Sequence, residues 1–213
     1  SGIVAGQQNL IQGAFGFIGS GFQNTVWNNV SVIGGGFANG ITGTYSFIGG
    51  GDDNIIQGAN SFIGAGATNA AYGNYNGIVA GLGQQIWGDS SAIIAGAFNG
   101  VTGDSSFVAV GGFNKIDADT SAIIAGLQNT ILGGGGANFI GAGAFNDIIA
   151  GSSSSTIVAG EGNAISASAD RVFIGAGSIN SCTSAECGIV TGAGNTINGT
   201  QSLIGAGLNN TIQ

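Results

Sequence analysis

The chain has 213 residues and a formal net charge of −8, with 45 glycines, no proline and no histidine. Only 6% of its residues are charged and 43% are hydrophobic, a balance that excludes intrinsic disorder. Lys115 and Arg171 are its only cations, so we expect neither a nucleic-acid partner nor an anionic membrane surface. No apolar run approaches the ~18–20 residues of a membrane-spanning helix, so we also expect no membrane insertion.

A short repeat runs through the whole chain and determines the predicted elements. Each copy, here called a coil, is counted from a small residue at position zero. The spacing is 15 residues except for three consecutive steps of 17 that begin at residue 121. The coils start at Ser1, Gly16, Ser31, Ser46, Ser61, Asn76, Ser91, Ser106, Ser121, Asn138, Ser155, Val172, Cys187 and Ser202.

Within a coil, inward positions alternate with outward ones on either side of a fixed glycine. Position two is Ile in every coil but one, position five is always Gly, and position ten is Ile or Val in twelve coils of fourteen. Period-two alternation predicts two short strands, and the glycine permits a bend with positive φ between them. The sequence therefore predicts an all-β fold, a single-stranded parallel β-solenoid (β-roll or β-helix) of about 14 coils. We expect one domain over residues 1–213, with 15-residue coils over 1–120 and 172–213 and 17-residue coils over 121–171.

Position eight predicts an internal ladder of amide side chains. It is Asn in thirteen coils, and Gln84 replaces it in the remaining one. Stacked coils lie about 4.8 Å apart, so each amide can bond to the next coil and fix the register of the stack. The predicted ladder consists of Asn9, Asn24, Asn39, Asn54, Asn69, Asn99, Asn114, Asn129, Asn146, Asn163, Asn180, Asn195 and Asn210.

The outward positions one and three of the first strand are almost all apolar, and their sizes compensate: a Phe at one usually goes with Gly at three, as Phe17 does with Gly19. Such matching is typical of a packed surface, so we expect this face to be buried against another copy of the chain. The outward positions of the second strand mix Thr, Gln, Lys and Asp with Trp27 and Trp87, which indicates a mostly solvated face. The predicted lateral assembly face includes Phe17, Phe47, Phe62, Ile94, Phe107, Ile124, Phe139, Phe173 and Leu203.

The two cysteines occupy inward positions on either side of a bend. Cys182 stands where most coils have Ile, and Cys187 stands at position zero of the next coil. Their placement predicts a Cys182–Cys187 disulfide and an oxidising compartment, and the alternative is two buried thiols in a reducing cell.

Both ends of the sequence lie within the repeat. The sequence begins at position zero of a coil and stops one residue short of completing a second strand. Unpaired strand edges at such ends favour head-to-tail pairing through Ser1, Ile3, Ile212 and Gln213, and the alternative is an excised fragment without its caps.

The sequence offers little catalytic chemistry. Without histidine, Ser–His–Asp and Cys–His mechanisms and histidine-containing metal sites are excluded. The ten acidic residues are scattered, and those in bends are typical of solvated turns. We therefore expect no enzyme activity, no cofactor and no metal site.

The segment 45–58, which reads YSFIGGGDDNIIQG, resembles the repeats in head domains of trimeric autotransporter adhesins. It is also similar to shaft repeats of phage tail fibres. The resemblance extends over nearly the whole chain. It implies a left-handed parallel β-roll in which three chains pack through an apolar face.

These features favour a structural, self-assembling subunit of an extracellular fibre or surface assembly, whose main partners are other copies of itself. The alternative is an adhesin head or phage tail-fibre segment that binds a glycan or protein of a host surface. Ice binding is a less favoured alternative, because Thr25, Thr42 and Thr102 are too irregular for an ordered array. The expected location is extracellular, at a cell surface or in a virion fibre.

Overall fold

A computed structural model describes all residues from Ser1 to Gln213. The chain divides into two compact units, Ser1–Val101 and Thr102–Gln213, each containing the fourteen strands of seven successive coils. All regular elements are short strands that pair in parallel, in two series of fourteen. The predicted all-β solenoid of about 14 turns with a repeat of about 15 residues is confirmed, and the single-domain boundary stays a prediction.

In the first unit, seven first strands form one parallel series and seven second strands form the other. The first strands are β1 (Gly2–Ile3), β3 (Phe17–Ile18), β5 (Val32–Ile33), β7 (Phe47–Ile48), β9 (Phe62–Ile63), β11 (Gly77–Ile78) and β13 (Ala92–Ile93). The second strands are β2 (Leu10–Ile11), β4 (Thr25–Val26), β6 (Gly40–Ile41), β8 (Ile55–Ile56), β10 (Ala70–Ala71), β12 (Gln85–Ile86) and β14 (Gly100–Val101).

The second unit repeats this arrangement. Its first strands are β15 (Phe107–Val108), β17 (Ala122–Ile123), β19 (Phe139–Ile140), β21 (Thr156–Ile157), β23 (Phe173–Ile174), β25 (Gly188–Ile189) and β27 (Leu203–Ile204). Its second strands are β16 (Lys115–Ile116), β18 (Thr130–Ile131), β20 (Asp147–Ile148), β22 (Ala164–Ile165), β24 (Ser181–Cys182), β26 (Thr196–Ile197) and β28 (Thr211–Ile212).

The two strands of each coil, which the alternation predicts to be short, are only two residues long. The first bend, between the two strands of a coil, interrupts them early because its glycine takes a positive φ, as at Gly51 (φ 104°). The residue after that glycine forms a single parallel bridge to the next coil, such as Phe37 with Asp52, and the sequence pattern gave no sign of this bridge.

Non-glycine residues also adopt left-handed backbone conformations in the bends. The last residue of most coils has φ near 55°, as at Val30 (55°) and Tyr75 (58°), and so do residues of the first bend such as Ile179 (55°). Such values are unfavourable for branched and bulky residues, so the stacked neighbours must enforce them. The peptide nitrogen of Tyr75, for example, donates to the carbonyl oxygen of Ala59 at 2.9 Å.

The core consists of two columns of aliphatic side chains, one from each strand series. Within the first unit, Ile48 and Ile56 are fully buried, and each is in register with its equivalents one coil away. Burial of each such side chain contributes roughly 1.5–3 kcal/mol. Inward residues of the second unit, such as Ile140 and Ile148, are equally buried.

The 17-residue coils place their two extra residues in the second bend, which follows the second strand. Residues 133–137 fill this bend where a 15-residue coil has 118–120, and the strands still pair in register, as Ala122 does with Phe139. The core columns therefore continue unchanged through the longer coils.

Candidate functional site

The outward side chains of the first strands form a surface that we call the first-strand face. In the first unit it exposes Phe17, Phe47, Phe62 and Ile94, each with 38–41% of its surface accessible. The rings of Phe47 and Phe62 stack with centroids 5.7 Å apart and planes 6° from parallel. Phe47 and Phe62 are therefore ordered against each other while both remain exposed.

The size compensation on this face has a cause inside the chain. A Cβ added to Gly49 would lie 3.4 Å from the ring of Phe47 and 2.3 Å from the carbonyl oxygen of Gly64. The phenyl ring thus lies beside the glycine of its own coil, where a side chain would crowd it. The pairing of a large residue with glycine is therefore explained without a partner chain. Lateral contact between chains is then indicated only by the exposure of the apolar side chains and the lack of charge on this face.

The second unit carries the same face. Ile124, Phe173 and Leu203 are exposed there, while Phe107 and Phe139 are half-buried. Counting two outward first-strand positions in each of fourteen coils gives 28, and Thr156 is the only polar residue among them. No charged side chain interrupts the first-strand face in either unit.

The outward side of the second strands differs in chemistry. In the second unit it carries Lys115, which forms an ion pair of 2.5 Å with Asp117, and Asp147. Partial burial raises the pKa of Asp147, against the smaller lowering effect of its hydrogen bond with Thr130. Charged groups are tolerated on this side, which is consistent with contact with water.

The asparagines at position eight lie in the interior and bond along the stack. Asn54 Nδ2 donates to Asn39 Oδ1 (3.0 Å) and to the carbonyl oxygens of Gly50 (3.1 Å) and Gly66 (2.9 Å). Asn146 repeats this pattern in the second unit. The first asparagine, Asn9, is half-buried and Asn210 is exposed, whereas those between them are buried.

Gln84 interrupts this pattern. Its Oε1 accepts hydrogen bonds from Asn99 N (3.0 Å) and Nδ2 (3.1 Å), so the ladder continues on that side. Its Nε2 is buried and has no hydrogen-bond partner. The extra methylene carries the amide nitrogen past the acceptors that asparagine reaches, such as those of Asn54.

A second polar ladder follows position zero, where most coils have Ser or Asn. Ser46 Oγ donates to the carbonyl oxygen of Gly58 (3.1 Å) and accepts from the peptide nitrogen of Ser61 (3.2 Å). Both serines are buried. Each hydroxyl thus satisfies one bend and links it to the following coil.

Cys182 and Cys187 are both buried and are free thiols in the structure. Cys187 Sγ donates to the carbonyl oxygen of Ser184 at 3.0 Å. The hydrogen bond from Cys182 lowers the pKa of Cys187, and that bond together with burial raises the pKa of Cys182. The two sulfurs are therefore neighbours, and the disulfide stays a prediction.

Two acidic groups at the second bends of the second unit, Asp170 and Glu186, have side-chain partners in a neighbouring coil. Asp170 Oδ1 accepts from Ser153 N (2.8 Å) and Oγ (2.9 Å), and these bonds lower the pKa of Asp170. Glu186 pairs with Arg171, which lowers the pKa of Glu186.

No group of three or more His, Cys, Asp or Glu side chains is arranged to hold a metal ion. No helix of the chain has the length and apolar character of a membrane span.

The residues predicted for end-to-end contact lie in the outermost coil of each unit. Ser1 and Gln213 are exposed, Ile3 is 45% accessible, and Ile212 is half-buried. Ser1 Oγ donates to the carbonyl oxygen of Gly13, within its own coil. The head-to-tail contact stays a prediction.

Neither a scan against protein-family models nor a search of curated proteins finds a match for this chain. The fold shown here is a β-solenoid of repeating coils.

Proposed function

We propose that this protein is a structural, self-assembling subunit of an extracellular fibre or surface assembly. The proposal rests on the first-strand face, whose 28 outward positions include one polar residue and no charge. A monomer seldom exposes an apolar patch larger than roughly 300–600 Å². Burial of this face against a second copy would remove its half-exposed phenylalanines from water.

The lack of charge on the first-strand face does not simply reflect a chain that is apolar over its whole surface, because the second-strand side carries charged residues. The same chain places Lys115, Asp117 and Asp147 on the second-strand side, yet no ionisable residue on the first-strand face. A face that has no charged residue, next to one that accepts both signs, is typical of an interface.

Resemblance of the repeats to trimeric autotransporter heads and phage fibre shafts makes three copies around the first-strand face the expected arrangement. A cell surface or virion is then the expected location. Head-to-tail pairing would add length to such an assembly, through the terminal residues Ser1, Ile3, Ile212 and Gln213.

The oligomeric state in solution tests the proposal. We expect sedimentation velocity to give a species of several copies for the natural sequence. Phe47→Lys combined with Phe62→Lys should shift it toward the monomer, because two charges cannot be buried there without partners. Gln57→Lys, on the exposed second-strand side, is the matched control and should leave assembly unchanged.

Circular dichroism would verify that each variant keeps its β fold. A natural sequence that sediments as a monomer over the whole accessible concentration range contradicts the proposal. A double variant that assembles as well as the control would also contradict it.

A further inference from the structure

The aromatic residues of this chain are segregated by type. It has two tryptophans and three tyrosines, and all five lie in the first unit. Each occupies one of only two places: the outward position eleven just after the second strand, or the last residue of a coil. We call these five residues the tyrosine–tryptophan edge: Trp27, Tyr45, Tyr72, Tyr75 and Trp87.

Phenylalanine is distributed differently. Eleven of the twelve phenylalanines lie on the first strand or first bend, and Phe15 alone ends a coil. Phenylalanine lacks a polar group, whereas tyrosine and tryptophan carry an O–H or N–H that suits a contact with a hydrated ligand. The two aromatic surfaces of the first unit therefore differ in the kind of partner they fit.

The edge is open to solvent. Tyr45 and Tyr75 expose 64% and 65% of their surfaces, and Trp27 and Trp87 expose 46% each. Tyr72 stacks on Trp87 with ring centroids 5.5 Å apart and planes 17° from parallel. This stacking orders two rings side by side without removing them from water.

Tyr45 and Tyr75 are held at backbone angles that aromatic residues disfavour. Their φ values are 55° and 58°. Phe15, Tyr45 and Tyr75 each end a coil, and successive members of this set are two coils apart. The backbone there would suit glycine or asparagine better. The coil between them places amides at the two equivalent positions, Gln57 and Asn60.

The charge of the first unit restricts the ligand. Its charged side chains are three aspartates, with no lysine or arginine. Asp89 lies on the same bend as the edge, and its Oδ1 accepts a hydrogen bond from Asn74 N. An anionic ligand would be repelled, whereas a neutral one can stack on the rings and bond to the amides.

We propose that the tyrosine–tryptophan edge binds a neutral, extended polysaccharide chain. Coils repeat about every 4.8 Å, close to the length of one pyranose unit in an extended β-linked glycan. Tyr45 and Tyr75 are two coils apart, so they can stack on alternate sugars, while Gln57 and Asn60 bond to hydroxyls between them. This inference goes beyond the proposed assembly and uses a different surface.

Tryptophan fluorescence and calorimetric titration of the full chain test the inference. Both tryptophans lie on the edge, so binding of cellohexaose or N-acetylchitohexaose should change the emission, and polygalacturonate should not. Tyr75→Ala and Trp87→Ala should each weaken binding about tenfold, as expected for aromatic anchors. Phe37→Ala removes a ring of the first bend that is also 46% exposed, and should bind as tightly as the natural chain.

Lack of a signal with every neutral glycan would overturn the inference, as would tighter binding of polygalacturonate. Unchanged affinity of both Tyr75→Ala and Trp87→Ala would overturn it as well. The Phe47→Lys, Phe62→Lys variant should bind glycan while failing to assemble. A natural chain that assembles but binds no neutral glycan would refute this inference alone, and a natural chain that binds glycan but stays monomeric would refute the proposed assembly alone.

Discussion

Replacement of Gln84 by asparagine should stabilise the protein. Gln84 Nε2 is buried and unpaired, whereas Asn54 Nδ2, at the equivalent position, makes three hydrogen bonds of 2.9–3.1 Å. An unsatisfied buried polar group costs about 1–3 kcal/mol. Because Gln84→Asn would return the amide nitrogen to its acceptors, we expect the free energy of unfolding to rise by an amount in that range.

The gain should be local as well as global, because each coil contacts mainly its neighbours. Hydrogen exchange of the amides at residues 81–86 should slow by about tenfold for each 1.4 kcal/mol gained. Urea denaturation would report the overall change.

Asn54→Gln is the reciprocal experiment at a regular position of the ladder. It should lengthen the side chain past the same acceptors and destabilise the protein by a similar amount. Unchanged exchange and denaturation in both variants would contradict this prediction, since the amide ladder would then contribute nothing measurable to stability.

Three further predictions concern the bends. Gly51→Ala should destabilise the fold by about 2–5 kcal/mol in urea denaturation. The added Cβ would lie 2.1 Å from the carbonyl oxygen of Gly66, on a residue whose φ is 104°. Gly40→Ala is the control, because a Cβ added there meets nothing within 4 Å. Hydrogen bonds hold the folded pKa of Asp170 below its ordinary 3.8. The contribution of the Asp170 carboxylate to stability is therefore present above pH 3.8 and is lost as the pH falls through the folded pKa. Asp170→Asn should flatten the acid side of a plot of melting temperature against pH, and an unchanged slope would contradict this. Oxidised glutathione should join Cys182 to Cys187, lowering the intact mass by two hydrogens, and a mass that does not change would rule out the disulfide.

The periodic features of the fold could be predicted from sequence because each appears in almost every coil. Isoleucine at position two, glycine at position five and asparagine at position eight define the strands, the first bend and the amide positions. Residue 84 shows where the pattern fails, because glutamine and asparagine carry the same functional group. Only the geometry of the bend reveals that one methylene removes the amide nitrogen of Gln84 from its acceptors.

Bend conformations were less predictable for a related reason. Val30 and Ile179 take left-handed angles that their own preferences oppose, so no local signal marks them. Hydrogen bonds from stacked coils determine those angles. The exposure of Phe47 next to Gly49 likewise required the structure, because the sequence could not separate packing within a coil from packing between chains.

The second bend has a consequence for how such a chain can change in length. Residues 133–137 occupy it where a 15-residue coil has three residues, yet Ala122 and Phe139 remain paired. Peptide segments added at this place would loop outward without shifting any core column. The second bend is therefore a natural position for displaying a foreign epitope, at a spacing that the coil repeat would set.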